Sequence, residues 1–193
     1  MERMFVRVAA FAVALLAATA ALGLWIGDLH GTLDPGLLRW ATVHRLSGVL
    51  TALVVVLVNS ITVTYFIGTG RWCKEVVEAY GLDRAFTARS TALKRSAFPF
   101  ALLGMLAVVA IVALGGAADP ATGRAGTRDW VTAHLVGGIG LAAAIAWCFR
   151  AQLGAIARQH RLIDEVMDAV RCERAARGLD VELVPQQTVA PPR

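Results

Sequence analysis

The sequence WATVHRLSG at residues 40–48 recurs ninety positions later as WVTAHLVGG at residues 130–138. The same register joins RWCKEVVEAY at residues 71–80 to RLIDEVMDAV at residues 161–170. Eight identities share this one ungapped offset, at both ends of a long segment, which composition alone does not explain. The sequence therefore predicts a duplicated unit, and each copy carries one histidine at the start of an apolar run, His44 and His134.

Composition predicts the broad class. The chain is 57% hydrophobic and 17% charged, and it contains four apolar runs of about 20 residues, the length that crosses a bilayer as a helix. These runs cover residues 8–26, 43–67, 97–118 and 131–149. We expect an all-α integral membrane protein with four transmembrane helices. The net charge of +5 does not indicate nucleic-acid binding, because the cations flank the apolar runs.

The first apolar run has two interpretations. Ala18-Thr19-Ala20 resembles a signal-peptide cleavage site. However, the run continues to Ile26, and the second unit begins with an equivalent run at residues 97–118 that cannot be a leader. We expect a retained helix.

The repeat predicts two tandem helical hairpins. The first hairpin covers residues 1–80, a cytoplasmic linker 81–96, the second hairpin 97–177, and a disordered tail 178–193. Within the first hairpin, Asp34-Pro35-Gly36 is typical of a turn. Two parallel repeats imply pseudo-two-fold symmetry about an axis along the membrane normal.

The distribution of basic residues predicts the orientation. Only four of the 19 lysines and arginines lie in the two loops inside the hairpins, namely Arg39, Arg45, Arg124 and Arg128. The positive-inside rule then places both termini in the cytoplasm of a bacterium, with the chain in the inner membrane and the histidines near the outer face.

The second and fourth helices are longer than a bilayer is thick. A helix over residues 40–80 is about 60 Å long against about 30 Å of hydrocarbon, so both helices extend into the cytoplasm. The extensions carry apolar residues at helical spacing, which either pack together or dock a partner protein. These residues are Val76, Val77, Tyr80, Leu162, Ile163, Val166 and Val170.

The two histidines suggest a cofactor. In a four-helix bundle the second and fourth helices are diagonal, so His44 and His134 face each other at one depth and can ligate one haem iron. Gly48 and Gly138, one turn deeper, leave room for a flat macrocycle. Arg39, Arg45, Arg124 and Arg128 could pair with haem propionates. Thr42, Thr132 or a loop carbonyl could accept a hydrogen bond from each ring.

In this layout the chain resembles the membrane-anchor cytochrome b subunits of bacterial respiratory complexes. The resemblance covers the four spans and the HxxxG pattern at His44/Gly48 and His134/Gly138. It implies an electron-transfer or anchor subunit with haem b. The chain has only two further histidines, His30 and His160, so we expect paired histidines to ligate at most one haem. The string YFIGTGRWCKEVVEAYGL at residues 65–82 also looks like an uncharacterised family of four-span bacterial membrane proteins, which implies no activity.

A cofactor-free function is the alternative. A duplicated gene retains an interfacial anchoring histidine in both copies without any cofactor. The protein is then a membrane scaffold or assembly protein whose helix extensions bind a cytoplasmic partner. No catalytic motif is present, so we expect no catalytic activity of its own. The sequence leaves open whether the chain forms a homo-oligomer.

Overall fold

The computed structural model describes residues 2–179 and is almost entirely helical. Its four long helices are α1 (Glu2–Ile26), α2 (Pro35–Tyr80), α3 (Ala85–Ala118) and α4 (Val131–Ala176). Two short 3-10 helices, Pro120–Thr122 and Thr127–Trp130, join α3 to α4, and residues 2–179 contain no strand. The predicted all-α fold with four long helices is confirmed. Of the predicted tail, residues 180–193 lie outside the described residues.

Each of the four long helices contains a segment long and apolar enough to cross a membrane. The bundle exposes apolar side chains and buries polar ones: Leu53, Val136 and Trp147 are 64%, 65% and 66% exposed, whereas Asn59 and Gln152 are 0% exposed. A soluble bundle has the opposite distribution. This surface is what helices need when their outer faces contact lipid.

Helix α2 begins five residues before Trp40, at Pro35. The carboxylate of Asp34 accepts a hydrogen bond from the Gly36 backbone N–H at 2.8 Å. An aspartate before the first turn and a proline at its first position together start a helix. The prediction of a turn at residues 34–36 is therefore wrong, because the same residues cap the helix.

Helices α2 and α4 each contain 46 residues, which corresponds to about 69 Å of helix. We call the end of the bundle that holds His44 and His134 the histidine end, and the opposite end the linker end. Gly81, with φ of 67°, terminates α2 at the linker end. Because α3 begins at Ala85, only residues 81–84 of the predicted 81–96 linker lie outside the helices.

A continuous seam joins α2 to α4, and along it residues ninety positions apart meet. The Thr62 hydroxyl donates to Gln152 Oε1 at 2.6 Å, and Gln159 Nε2 donates to the Thr69 hydroxyl at 3.3 Å. Other pairs at this offset share core clusters. The positions repeat every seven residues, as in a parallel coiled coil. The seam pairs are Val55 with Ile145, Thr62 with Gln152, Thr69 with Gln159, and Val76 with Val166.

A buried polar network fixes the middle of the seam. Besides accepting from Thr62, Gln152 donates through Nε2 to Asn59 Oδ1 at 2.9 Å. Asn59 Nδ2 donates in turn to the Val55 carbonyl at 2.8 Å. On α3, a Cβ added to Gly104 would lie 2.9 Å from the Asn59 amide atoms. Close approach of α3 at a glycine therefore encloses the network.

The helix extensions at the linker end pack on each other and on the start of α3. Cys73, Val77 and Val166 form a buried cluster, which Leu82 and Phe86 also contact. All seven apolar residues predicted to pack together or to dock a partner are buried or half-buried.

An ion pair ties the extension of α4 to α3. Arg89 Nη1 lies 2.6 Å from Glu165 Oε2, and this hydrogen bond lowers the pKa of the Glu165 carboxyl.

The seam network predicts a specific loss of stability. Thr62→Val removes the donor to Gln152 Oε1 and leaves that buried oxygen without its partner. We expect a loss of about 1 kcal/mol in the free energy of unfolding, measured by denaturation in detergent. Thr64→Val is the matched control, because the Thr64 side chain is exposed and makes no hydrogen bond within residues 2–179. Equal stability of the two variants would contradict this account.

Candidate functional site

His44 on α2 and His134 on α4 meet at the histidine end of the bundle. Their ring centres are 6.3 Å apart and the ring planes are inclined by 70°. Both side chains are half-buried. The two residues are ninety positions apart, so they continue the contacts between α2 and α4 described above. The structure therefore brings together the two histidines that the repeat singled out.

Each imidazole lies against a glycine of the preceding helix. A Cβ added to Gly23 of α1 would lie 2.8 Å from His44 Cε1, and one added to Gly115 of α3 would lie 3.2 Å from His134 Cε1. Neither glycine was identified from the sequence. Both occur in the tripeptide Ala-Leu-Gly, at residues 21–23 and 113–115. This repeat has an offset of ninety-two, so it lies outside the register of ninety that relates the two histidines.

A backbone carbonyl orients His44. The Nδ1–H of His44 donates to the Thr19 carbonyl oxygen at 3.1 Å. A neutral imidazole that donates through Nδ1 keeps its lone pair on Nε2. The side chain of Thr42, one of the predicted acceptors, instead donates to the Leu38 carbonyl at 3.1 Å. The acceptor comes from α1, where a carbonyl has no signature in the sequence.

The surroundings of the two histidines differ. Beside His44, the Thr19 hydroxyl contacts the hydroxyls of Ser47 at 3.3 Å and Thr51 at 3.1 Å. Ninety positions on, the residues in place of Ser47 and Thr51 are Gly137 and Leu141. His134 Nδ1 is buried and has no hydrogen-bond partner within residues 2–179. His44 thus lies beside hydroxyl groups, whereas the corresponding residues beside His134 are apolar.

Gly48 and Gly138 lie one helical turn from the histidines, and both border open space. A Cβ built at either position meets no atom within 4 Å, although both residues are half-buried. The sequence predicted room for a flat macrocycle beside these glycines, and that use of the space stays a prediction.

Two of the four predicted arginines are engaged in ion pairs. Arg45 Nε lies 2.8 Å from Asp119 Oδ2, and Arg128 Nε lies 3.7 Å from Asp28 Oδ2. Asp119 follows α3 and pairs with Arg45 of α2, whereas Asp28 follows α1 and pairs with Arg128, just before α4. Each ion pair therefore joins the two hairpins. The remaining two, Arg39 and Arg124, are exposed and make no ion pair in the described part of the chain.

His30, to which the sequence analysis gave no role, links the two loops at this end. Its Nδ1 lies 2.6 Å from Asp28 Oδ1 and its Nε2 lies 2.8 Å from the Thr127 hydroxyl. Hydrogen bonds from the backbone N–H and the ring of His30 lower the pKa of the Asp28 carboxyl. We call Asp28, His30, Thr127 and Arg128 the loop clasp.

The donor set of the site consists of two imidazoles. No group of three or more histidine, cysteine, aspartate or glutamate side chains comes together to hold a metal among residues 2–179. A metal bound entirely by protein usually takes four or more ligands. Two imidazoles alone fall short of such a set.

The contacts of the loop clasp predict that the stability of the fold depends on pH. The pKa of Asp28 is lowered on folding, so its carboxylate stabilises the fold above its ordinary pKa of 3.8, and that contribution is lost as the pH falls through the lowered value. Asp28→Asn should lower the melting temperature at pH 7, with the gap to wild type closing below about pH 4. Thermal unfolding in detergent measures this. Asp129→Asn is the control, because Asp129 makes no ion pair in the described residues; a gap that persists at acid pH would contradict the assignment.

The glycines that contact the imidazoles predict a graded series of melting temperatures for Gly→Ala variants. Gly→Ala inside a helix ordinarily stabilises by about 0.5–1 kcal/mol, and Gly116→Ala should show this gain because its Cβ meets nothing within 4 Å. Gly115→Ala should lose most of the gain by pressing on His134. Gly23→Ala should be destabilising, because His44 must move away from the Thr19 carbonyl. Melting temperatures should rank in that order, and three equal values would contradict the packing.

Comparison with known proteins adds no assignment: no family model, no curated protein and no solved structure matches this chain.

Proposed function

We propose that the four helices cross the bacterial inner membrane as two hairpins related by a pseudo-two-fold axis, with both termini in the cytoplasm. The exposed apolar side chains support the membrane location. The contacts between residues ninety positions apart support the symmetry, because only positions beside a two-fold axis touch their own counterparts. The concentration of lysine and arginine at the linker end supports the orientation.

We further propose that the protein binds one b-type haem between His44 and His134 and acts as an electron-transfer or membrane-anchor subunit. The observation that carries this proposal is the 6.3 Å separation of the two ring centres. When the coordinating nitrogens of two imidazoles face each other, a metal midway between them lies about 2 Å from each nitrogen, and each nitrogen lies about 1 Å from its ring centre. The resulting span between ring centres is roughly 6 Å.

The residues around the histidines fit such a group. Gly48 and Gly138 border open space at the required level. Of the four arginines proposed for the propionates, Arg39 and Arg124 are free of ion pairs within the described residues, whereas Arg45 and Arg128 already hold aspartates. Arg39 and Arg124 are therefore the first candidates, and the other two would have to exchange their partners.

When bound, the haem supplies reversible one-electron transfer. The chain's own residues prepare the site for it. The Thr19 carbonyl holds the Nδ1 proton of His44, which leaves Nε2 as the ligating atom. Gly23 and Gly115 let α1 and α3 approach closely and restrict both rings. Beside His134 the positions that correspond to Ser47 and Thr51, Gly137 and Leu141, supply no hydroxyl.

The structure gives less support to the scaffold alternative. Docking through the helix extensions needs an exposed apolar face. The seven apolar residues of the extensions are instead buried or half-buried against one another and α3. No observation on these extensions favours a partner over self-packing.

An absorption spectrum tests the haem proposal. The protein, expressed with added haem and purified in detergent, should show a Soret band and, on dithionite reduction, the sharp bands of a low-spin b-type centre. His44→Ala and His134→Ala should each lose the low-spin spectrum, because either change removes one axial ligand. His160→Ala is the control, since His160 is exposed on the extension of α4.

A protein without a Soret band under these conditions would refute haem binding. The scaffold function then becomes the account to test, by deleting residues 162–177 and measuring whether a co-purifying partner is lost.

A further inference from the structure

A groove on the surface between α2 and α3 does not belong to the histidine site. Its volume is about 580 Å³. Two of its lining residues are cations, Lys94 and Arg95. The others are apolar: Val63, Phe98, Pro99, Leu102 and Met105. The surface of the groove is almost wholly apolar, and Lys94 and Arg95 contribute their aliphatic stems to it.

The two cations have no counter-charge within the protein. Neither Lys94 nor Arg95 makes an ion pair within residues 2–179, and no carboxylate lines the groove. The aliphatic stems of Lys94 and Arg95 line the groove, and long basic side chains of membrane helices extend their charged ends toward the interface. Two unneutralised positive charges therefore lie on α3 beside the groove.

The position of the groove matches a membrane interface. The apolar run of α3 starts at residue 97, directly after the two cations. Met105 lies ten residues beyond Arg95, or about 15 Å along the helix. Pro99 has no N–H, so the carbonyl of Arg95 lacks its usual partner one turn ahead. The end of the groove beside the two cations therefore lies at the boundary, and the rest extends toward the middle of the bundle.

We propose that this groove binds an anionic phospholipid from the leaflet at the linker end. The phosphate lies between Lys94 and Arg95, and an acyl chain follows Phe98, Leu102 and Met105. Charge complementarity selects the headgroup, because basic pockets at this depth attract anionic lipids. The inference rests on the membrane location given under the proposed function and is independent of haem.

Native mass spectrometry of the full chain in detergent tests the proposal, by titration with phosphatidylglycerol or phosphatidylcholine of identical acyl chains. Wild type should bind one phosphatidylglycerol at least about tenfold more tightly than phosphatidylcholine. The double variant Lys94→Gln/Arg95→Gln should bind both lipids equally. The matched control, Arg3→Gln/Arg7→Gln, removes two exposed charges from the same end and should keep the preference.

A third variant tests the apolar part of the groove. Leu102 is 59% exposed, so Leu102→Trp should fold normally. By filling the groove it should weaken binding of both lipids. This variant also keeps the proposal testable if the double variant fails to fold, which circular dichroism would show.

Three results would overturn the proposal. The first is equal binding of the two lipids by wild type. The second is an equal loss in the Arg3/Arg7 variant, which would indicate diffuse attraction. The third is displacement of phosphatidylglycerol by millimolar inorganic phosphate, which would indicate a plain anion site. Retention of the chain in carbonate-washed membranes is measured in parallel, so that failure of the membrane location is distinguished from failure of the lipid site.

Discussion

The polar contacts between α2 and α4 set the register on which the histidine site depends. Hydrogen bonds between buried polar side chains fix the register of these helices at Thr62 with Gln152 and at Thr69 with Gln159. In an apolar bundle a buried polar group without a partner is costly, so a slipped register is disfavoured. Sliding one helix by a single residue would move it about 1.5 Å and turn its side chains by about 100°. The meeting of His44 and His134 therefore depends on polar contacts several turns away.

The two histidines occupy unequal environments although they stand at equivalent places in the repeat. His44 is fixed by a carbonyl and bordered by hydroxyls, whereas the Nδ1 of His134 has no partner in the described residues. The loop clasp and the Arg45–Asp119 pair hold the loops above them. The first hairpin thus supplies a ring oriented by a hydrogen bond, and the second supplies a ring whose Nδ1 has no hydrogen bond within residues 2–179.

The sequence predicted the features that depend on the length of the apolar runs and on the internal repeat. Four apolar runs gave the four helices, and an offset of ninety identified the histidine pair. The prediction of a turn at residues 34–36 failed, because Asp34-Pro35 starts a helix as readily as it makes a turn. The sequence pattern also missed Gly23 and Gly115, because the loops of the two hairpins differ in length and shift the offset. The Thr19 carbonyl and the partners of Arg45 and Arg128 depend on how separate segments approach each other, which no local pattern encodes.

The pairing of Thr62 with Gln152 has a consequence for the duplication itself. If the two hairpins were separate identical chains, each seam position would face a copy of itself, threonine against threonine or glutamine against glutamine. A short hydroxyl and a long amide can instead span the gap between the helices together, one donating and the other accepting, with Asn59 taking the second amide bond. Because α2 and α4 belong to one polypeptide, facing positions can carry different residues. The fused chain can therefore form complementary contacts that a symmetric dimer of a single hairpin is unable to make.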